Sequence, residues 1–186
     1  MSIKNKQHSI DYTALIIIDA QAKIINPIQN KELILNNIYK LLKAYEILGE
    51  NIYLSEQNPL KLGRTIDKLL PKKIFKVIEK VNFSIANSEE LNYDLSNKKI
   101  KKLIICGFET HICIQQSVLN LLKRNFEISI IVDAMGSRNM NDHNIAIKRM
   151  MWEGAKIESS ESIIFELCET SDRDEFKSIS SIIKNK

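Results

Sequence analysis

Three residues in this chain are of the types that carry out covalent hydrolysis: a carboxylate at Asp19, an ammonium at Lys80 and a thiol at Cys113. In such chemistry the carboxylate takes the thiol proton, the thiolate attacks a carbonyl carbon, and the proton passes on to the leaving amine. The ammonium holds the thiolate electrostatically and lowers its pKa. Each residue also has an ordinary use: Asp19 as a helix N-cap, Lys80 as a surface lysine, Cys113 as a small apolar residue in a core. What sets them apart is position. Asp19 closes the run Ala14-Leu-Ile-Ile-Ile-Asp19, where a carboxylate is costly unless solvent or a partner receives it. Lys80 comes after Val77-Ile-Glu, and Cys113 follows Leu103-Ile-Ile-Cys106 by way of Gly107-Phe-Glu-Thr-His-Ile.

The elements that must hold these residues are legible around Cys113. Residues 103–106 are continuously apolar, as a parallel strand covered on both faces should be. A tight turn is expected at Gly107, then a helix with Thr110 as its N-cap and Ile114, Val118, Leu121 and Leu122 facing the sheet. A thiol in the first turn of that helix sits among unpaired amides at a positive dipole end, which favours the thiolate. The amides of the 107–113 turn would receive the oxyanion of a tetrahedral intermediate.

Strand and helix signals alternate along the whole chain. Strands are expected at 13–19, 51–55, 74–78, 103–106 and 127–132, with a short sixth near 156–157. Helices are expected at 31–48, 88–91, 110–124, 142–153, 160–168 and 173–184, with Gly49 as the stop after the first. Repeated βαβ units mean a parallel sheet with helices on both faces and right-handed crossovers. No linker or repeat divides the chain, so 1–186 reads as a single domain with flexible ends at about 1–10 and 185–186. Ligands in such sheets bind beyond the carboxyl ends of the strands. Asp19, Lys80 and Cys113 all fall on that edge, and the fold would bring them together.

Composition narrows the function. The 186 residues carry a formal net charge of +4, and the basic residues are dispersed rather than gathered with aromatics, which argues against a nucleic-acid partner. The longest apolar run, 14–18, is far too short for a bilayer, and the first residues lack the features of a secretory signal, so no membrane partner is expected. The three cysteines, Cys106, Cys113 and Cys168, have no paired spacing and fit a reducing cytoplasm. Cys106 reads as inert core and Cys168 as packing.

The motifs Asp19-Ala-Gln21, Lys80 before Asn-Phe-Ser84, and Gly107-Phe-Glu-Thr-His-Ile-Cys113 resemble those of the isochorismatase-like cysteine hydrolases in order and spacing. Ser55-Glu-Gln-Asn-Pro59 with Leu62-Gly63, and Asp133-Ala-Met-Gly-Ser-Arg138, are similar to the short isochorismatase-domain-containing proteins. The resemblance covers nearly the whole chain. It implies a three-layer αβα sandwich around a six-stranded, mostly parallel sheet, a homo-oligomer, and cleavage of amide or enol-ether bonds in small molecules. It also implies a cis peptide between Phe108 and Glu109 that aims the amides of Glu109 and Cys113 at one oxyanion.

Departures from the family sharpen the reading. The metal-binding Asp-x-His of nicotinamidases has no counterpart in Leu54-Ser-Glu-Gln-Asn-Pro59, and His8, His111 and His143 have no metal spacing. A metal-independent hydrolase without cofactor is therefore expected. The presence of Cys113 favours an amide or ureide over a vinyl ether. Gln21, Glu56, Gln57, Phe83, Phe108 and Thr110 are the candidates for the pocket around the small-molecule substrate. His111 reads as rim or interface, Arg138 and Asp142 as loop-ordering groups, and Trp152 as core or interface. The competing functions are a non-catalytic oligomeric scaffold or small-ligand binder on the same fold, and a redox-sensing thiol protein, for which no resolving cysteine lies near Cys113.

Overall fold

The computed structural model describes residues 9–49, 51–73 and 75–184. Among these residues six strands form one sheet: β1 (Thr13–Ile18), β2 (Ile52–Gln57), β3 (Lys76–Lys80), β4 (Lys102–Phe108), β5 (Glu127–Gly136) and β6 (Lys156–Glu158). Their order is β3-β2-β1-β4-β5-β6, and every pairing is parallel. The expectation of a mostly parallel sheet thus becomes one parallel throughout.

Eight α-helices lie among the described residues, six between strands and two after the last: α1 (Ala22–Ile25), α2 (Lys31–Leu48), α3 (Pro59–Leu62), α4 (Glu89–Asn97), α5 (Gln115–Leu122), α6 (Met140–Trp152), α7 (Ser160–Cys168) and α8 (Phe176–Lys184). Strand alternation divides the core into the two halves of a sandwich. Leu15, Ile17, Leu54, Ile104, Cys106 and Ile131 point to one face, against Ile38, Leu41, Leu42 and Tyr45 of α2 and Ile163, Ile164 and Leu167 of α7. Ala14, Ile16, Ile18, Tyr53, Ile105 and Ile130 point to the other, against Leu91 and Leu95 of α4, Val118 and Leu121 of α5, and Met150 of α6. Full burial of each Leu or Ile there contributes about 1.5–3 kcal/mol. The α/β layers expected from the sequence are all present.

Several boundaries move. Ile10, at the edge of the stretch expected to be flexible, is buried against Gly49, and Ser9–Tyr12 forms a 3-10 turn. Residues 1–8 and 185–186, and Ile74 from the expected third strand, lie outside the described residues. Gly49 does stop α2, but with extended backbone rather than a left-handed cap. A Cβ there would sit 2.6 Å from Ile10 Cγ1, so the glycine serves close packing. Strand β5 runs on to Gly136, past an irregularity in its pairing with β4. There Asp133 turns its carboxylate to the start of α7, accepting from the Ser160 amide and hydroxyl, both at 2.7 Å.

Gly107 is not a turn. It lies inside β4, opposite Ile18 in the register, with φ +117°. A Cβ at this position would lie 2.1 Å from the Ile18 carbonyl oxygen. Glycine is required there both for its backbone conformation and for the approach of β1 to β4, one residue before Asp19.

Candidate active site

Asp19 follows the last residue of β1 with φ 49°, in the left-handed region that non-glycine residues seldom occupy. Holding it there costs about 1–3 kcal/mol, offset by surrounding bonds. The Asp19 amide donates to the Ser55 carbonyl at 3.1 Å, and the Asp19 carbonyl accepts from the Gln21 amide at 2.8 Å. The resulting turn directs the carboxylate along the strand edge, where it is fully buried.

Both carboxylate oxygens have partners. Ser55 Oγ donates to Oδ1 at 2.5 Å, and Lys80 Nζ donates to Oδ2 at 2.7 Å. Lys80 is the last residue of β3 rather than a residue beyond it, and its Nζ also donates to Gln57 Oε1 at 2.8 Å. Strand order explains the geometry. Strand β2 lies between β1 and β3, so Ser55 and Gln57, two residues apart and on one face, meet Asp19 from one side and Lys80 from the other. Glu56 points the opposite way. Its carboxylate accepts from the Thr65 amide at 2.8 Å and from Arg64 Nη1 at 2.9 Å.

Cys113 completes the cluster. It lies in a π-helical turn, Thr110–Ile114, that precedes α5, and it is 5% exposed. Its thiol interacts with both Asp19 and Lys80. Burial pushes the Cys113 thiol up, the Asp19 carboxylate pushes it further, and Lys80 opposes them without reversing the sign. This corrects the expectation of a thiol lowered by a helix terminus and a lysine. A buried thiol beside a carboxylate keeps its proton at rest.

The turn before Cys113 has the expected cis peptide between Phe108 and Glu109. Glu109 Oε2 accepts from the Arg138 amide at 2.9 Å and from Arg138 Nε at 3.0 Å, tying the turn to the loop after β5. Arg138 is thus the loop-ordering group expected, whereas Asp142 lies in the first turn of α6 behind the Asn139 cap. Thr110 does not cap a helix; its hydroxyl pairs with His143 Nδ1 at 2.9 Å. His111 Nδ1 pairs with Ser137 Oγ at 3.0 Å.

The remaining pocket candidates divide. Gln57 belongs to the cluster through Lys80. Gln21 is fully buried and extends the strand pairing: its Oε1 accepts from the Gln57 amide at 2.7 Å, and its Nε2 donates to the carbonyls of Gln57 at 3.0 Å and Gly63 at 2.6 Å. Glu56 and Gln21 therefore pin the segment around Gly63–Thr65 rather than line an open pocket. Phe108 is buried in the α2 side of the core, on the face opposite Cys113, which removes it as a pocket wall. Phe83 is half exposed. Trp152 is 79% exposed, which excludes a core role. Cys106 and Cys168 are buried and unpaired. Ser55 was not anticipated; the period of two along β2, counted back from Gln57, is the signal that points to it.

A model of the isochorismatase domain matches residues 13–162. Isochorismatase family protein 1B of Dictyostelium discoideum is 36% identical, over 94% of this chain and 87% of its own. Among solved structures, MAR1 ribonuclease from Caenorhabditis elegans superposes with TM-score 0.88 at 29% identity, covering 96% of this chain and 92% of that one. The ycaC gene product of Escherichia coli, described as an octameric hydrolase of unknown specificity, superposes with TM-score 0.85 at 19% identity, covering 96% and 91%, a likeness of fold.

Proposed function

Because the chain belongs to the isochorismatase family, we propose that it is a metal-independent cysteine hydrolase that cleaves an amide-like C–N bond in a small molecule through a thioester. The observation that carries this reading is one buried thiol electrostatically coupled to a carboxylate and an ammonium that are themselves 2.7 Å apart.

The reaction follows from that arrangement. As a carbonyl carbon approaches Cys113 Sγ, Asp19 takes the thiol proton and the sulfur electron pair forms the new C–S bond. Lys80 offsets the negative charge on sulfur, and the amides of Glu109 and Cys113 receive the oxyanion. Collapse of the tetrahedral intermediate breaks the C–N bond, and Asp19 returns its proton to the leaving nitrogen. A water molecule, deprotonated by Asp19, then attacks the thioester; the acid leaves and the thiol regains the proton.

The protein acts as a homo-oligomer in a reducing compartment. Exposed apolar side chains support association, among them Leu60 at 98%, Val81 at 75%, Ile145 at 65% and Trp152 at 79%. Three unpaired cysteines suit reducing conditions. No helix among the described residues is long and apolar enough to cross a membrane.

The test is a screen of small amides, ureides and nitriles for ammonia release, with Cys113→Ser as control. Release by the native protein and its loss in Cys113→Ser is the expected result. RNA belongs in the same screen, given the name of the Caenorhabditis elegans relative. RNA cleavage that survives in Cys113→Ser, with no ammonia released from any amide, would overturn the proposal.

A further inference from the structure

We propose that Ser55 is a positioning residue for proton transfer between Cys113 and Asp19, a step that rests on the hydrolase reading above. Ser55 is fully buried on β2, opposite Ile18 in the register. Its hydroxyl has one proton to give, and gives it to Asp19 Oδ1 at 2.5 Å; the same oxygen lies 3.3 Å from the Asp19 amide, which donates to it. Ser55 therefore holds both the side chain and the backbone of a residue whose φ of 49° needs outside support.

The chemical consequence concerns the shared proton. The charged and titratable groups against Asp19 are Lys80 from β3 and the thiol of Cys113 from the turn after β4. From β2 come the neutral donor Ser55 and, through Lys80, the neutral acceptor Gln57; Glu56 is turned away to Thr65 and Arg64. A hydrogen bond donated to a carboxylate favours its ionised form. Without the Ser55 hydroxyl, Oδ1 is left in a site closed to solvent, and the Asp19–Cys113 pair holds an added proton to higher pH. Sulfur reactivity is then lost sooner as the solution is acidified. Ser55 does this without touching substrate.

The experiment follows iodoacetamide labelling of Cys113 against pH, read by mass spectrometry of its peptide, with Cys106 and Cys168 as internal references. For Ser55→Ala the acidic limb of the Cys113 profile moves to higher pH by about one unit, the size expected when a bond to a charged group is lost. Ser55→Thr, which keeps the hydroxyl, returns the limb to the native position. A Ser55→Ala profile that superimposes on the native one overturns the proposal. If Ser55→Ala does not fold, Ser55→Cys supplies a weaker donor in the same place; a limb displaced in the same direction supports the role, and an unchanged limb overturns it. The hydrolase reading fails on a separate outcome, native Cys113 that labels no faster than Cys106 at any pH.

Discussion

Lys80 reaches Asp19 across the full width of strand β2, with Nζ 2.7 Å from Oδ2 and side-chain exposures of 5% and 0%. Two charges withdrawn from water to this extent are stable only as a pair with further hydrogen bonds, here from Ser55 and to Gln57. Lys80→Met therefore leaves a buried carboxylate without its cation. We expect it to lower unfolding stability by about 3–5 kcal/mol, measured by urea denaturation. The double variant Lys80→Met with Asp19→Asn should recover most of that loss while remaining unreactive at Cys113. A single variant as stable as the native protein would show the pair to be structurally dispensable.

Two glycines separate space from conformation. Gly107 and Gly154 both have positive φ, +117° and +109°, yet a Cβ meets backbone at the first and nothing within 4 Å at the second. Gly154→Ala should lose about 1 kcal/mol for its backbone conformation alone. Gly107→Ala must also push β1 from β4 beside Asp19, and should lose about 3 kcal/mol or more. Thermal unfolding of the two variants side by side is the measurement; equal losses would contradict the packing argument.

The sheet was readable from the sequence because its strands are covered on both faces, so 14–18 and 103–106 are unbroken apolar runs. The placement of Asp19, Lys80 and Cys113 on one edge followed from that topology. What escaped was side-chain direction. Phe108 and Thr110 flank Glu109 in sequence, yet Phe108 turns to the α2 core and Thr110 to His143. The sign of the effect on Cys113 also escaped, because it depends on how deeply the thiol is buried and how directly Asp19 faces it. Motif spacing carries neither quantity.

Stability should fall on both sides of neutral pH. Burial lowers the pKa of His143, helped by His111, so the folded state resists a proton that the unfolded chain accepts. Its contribution is complete above the unfolded value of about 6.5 and is lost as pH falls through the folded one. His143→Asn, which keeps a polar partner for Thr110, should flatten the melting temperature between about pH 5 and 6.5. On the alkaline side burial pushes the Cys106 thiol up, with Asp133 adding to it. That contribution is complete below the unfolded value of about 8.5 and declines as pH rises above it. Cys106→Ala should weaken the alkaline fall, and melting curves collected across the range test both limbs.

Glu56 holds the backbone beside the candidate site. Its Oε1 is the acceptor for the Thr65 amide, and Thr65 in turn bridges Gln21, two residues after Asp19. The neighbouring Arg64 is exposed, with 65% of its side chain open to solvent, so trypsin can reach the side chain but needs the segment to open before it can cut. Removing the Glu56 carboxylate leaves the Thr65 amide buried without its partner, a loss of about 1–3 kcal/mol. If opening precedes cutting, Glu56→Ala should raise the rate of tryptic cleavage after Arg64 by about tenfold or more, while sites in the core helices stay protected. Because Ile66 donates to the Ala20 carbonyl at 3.0 Å, the same opening should loosen Asp19 and slow Cys113 labelling. Cleavage at the native rate would mean that Gln21 secures this segment through its bond to Gly63 without Glu56, and the Gln21→Ala variant should then show the effect instead.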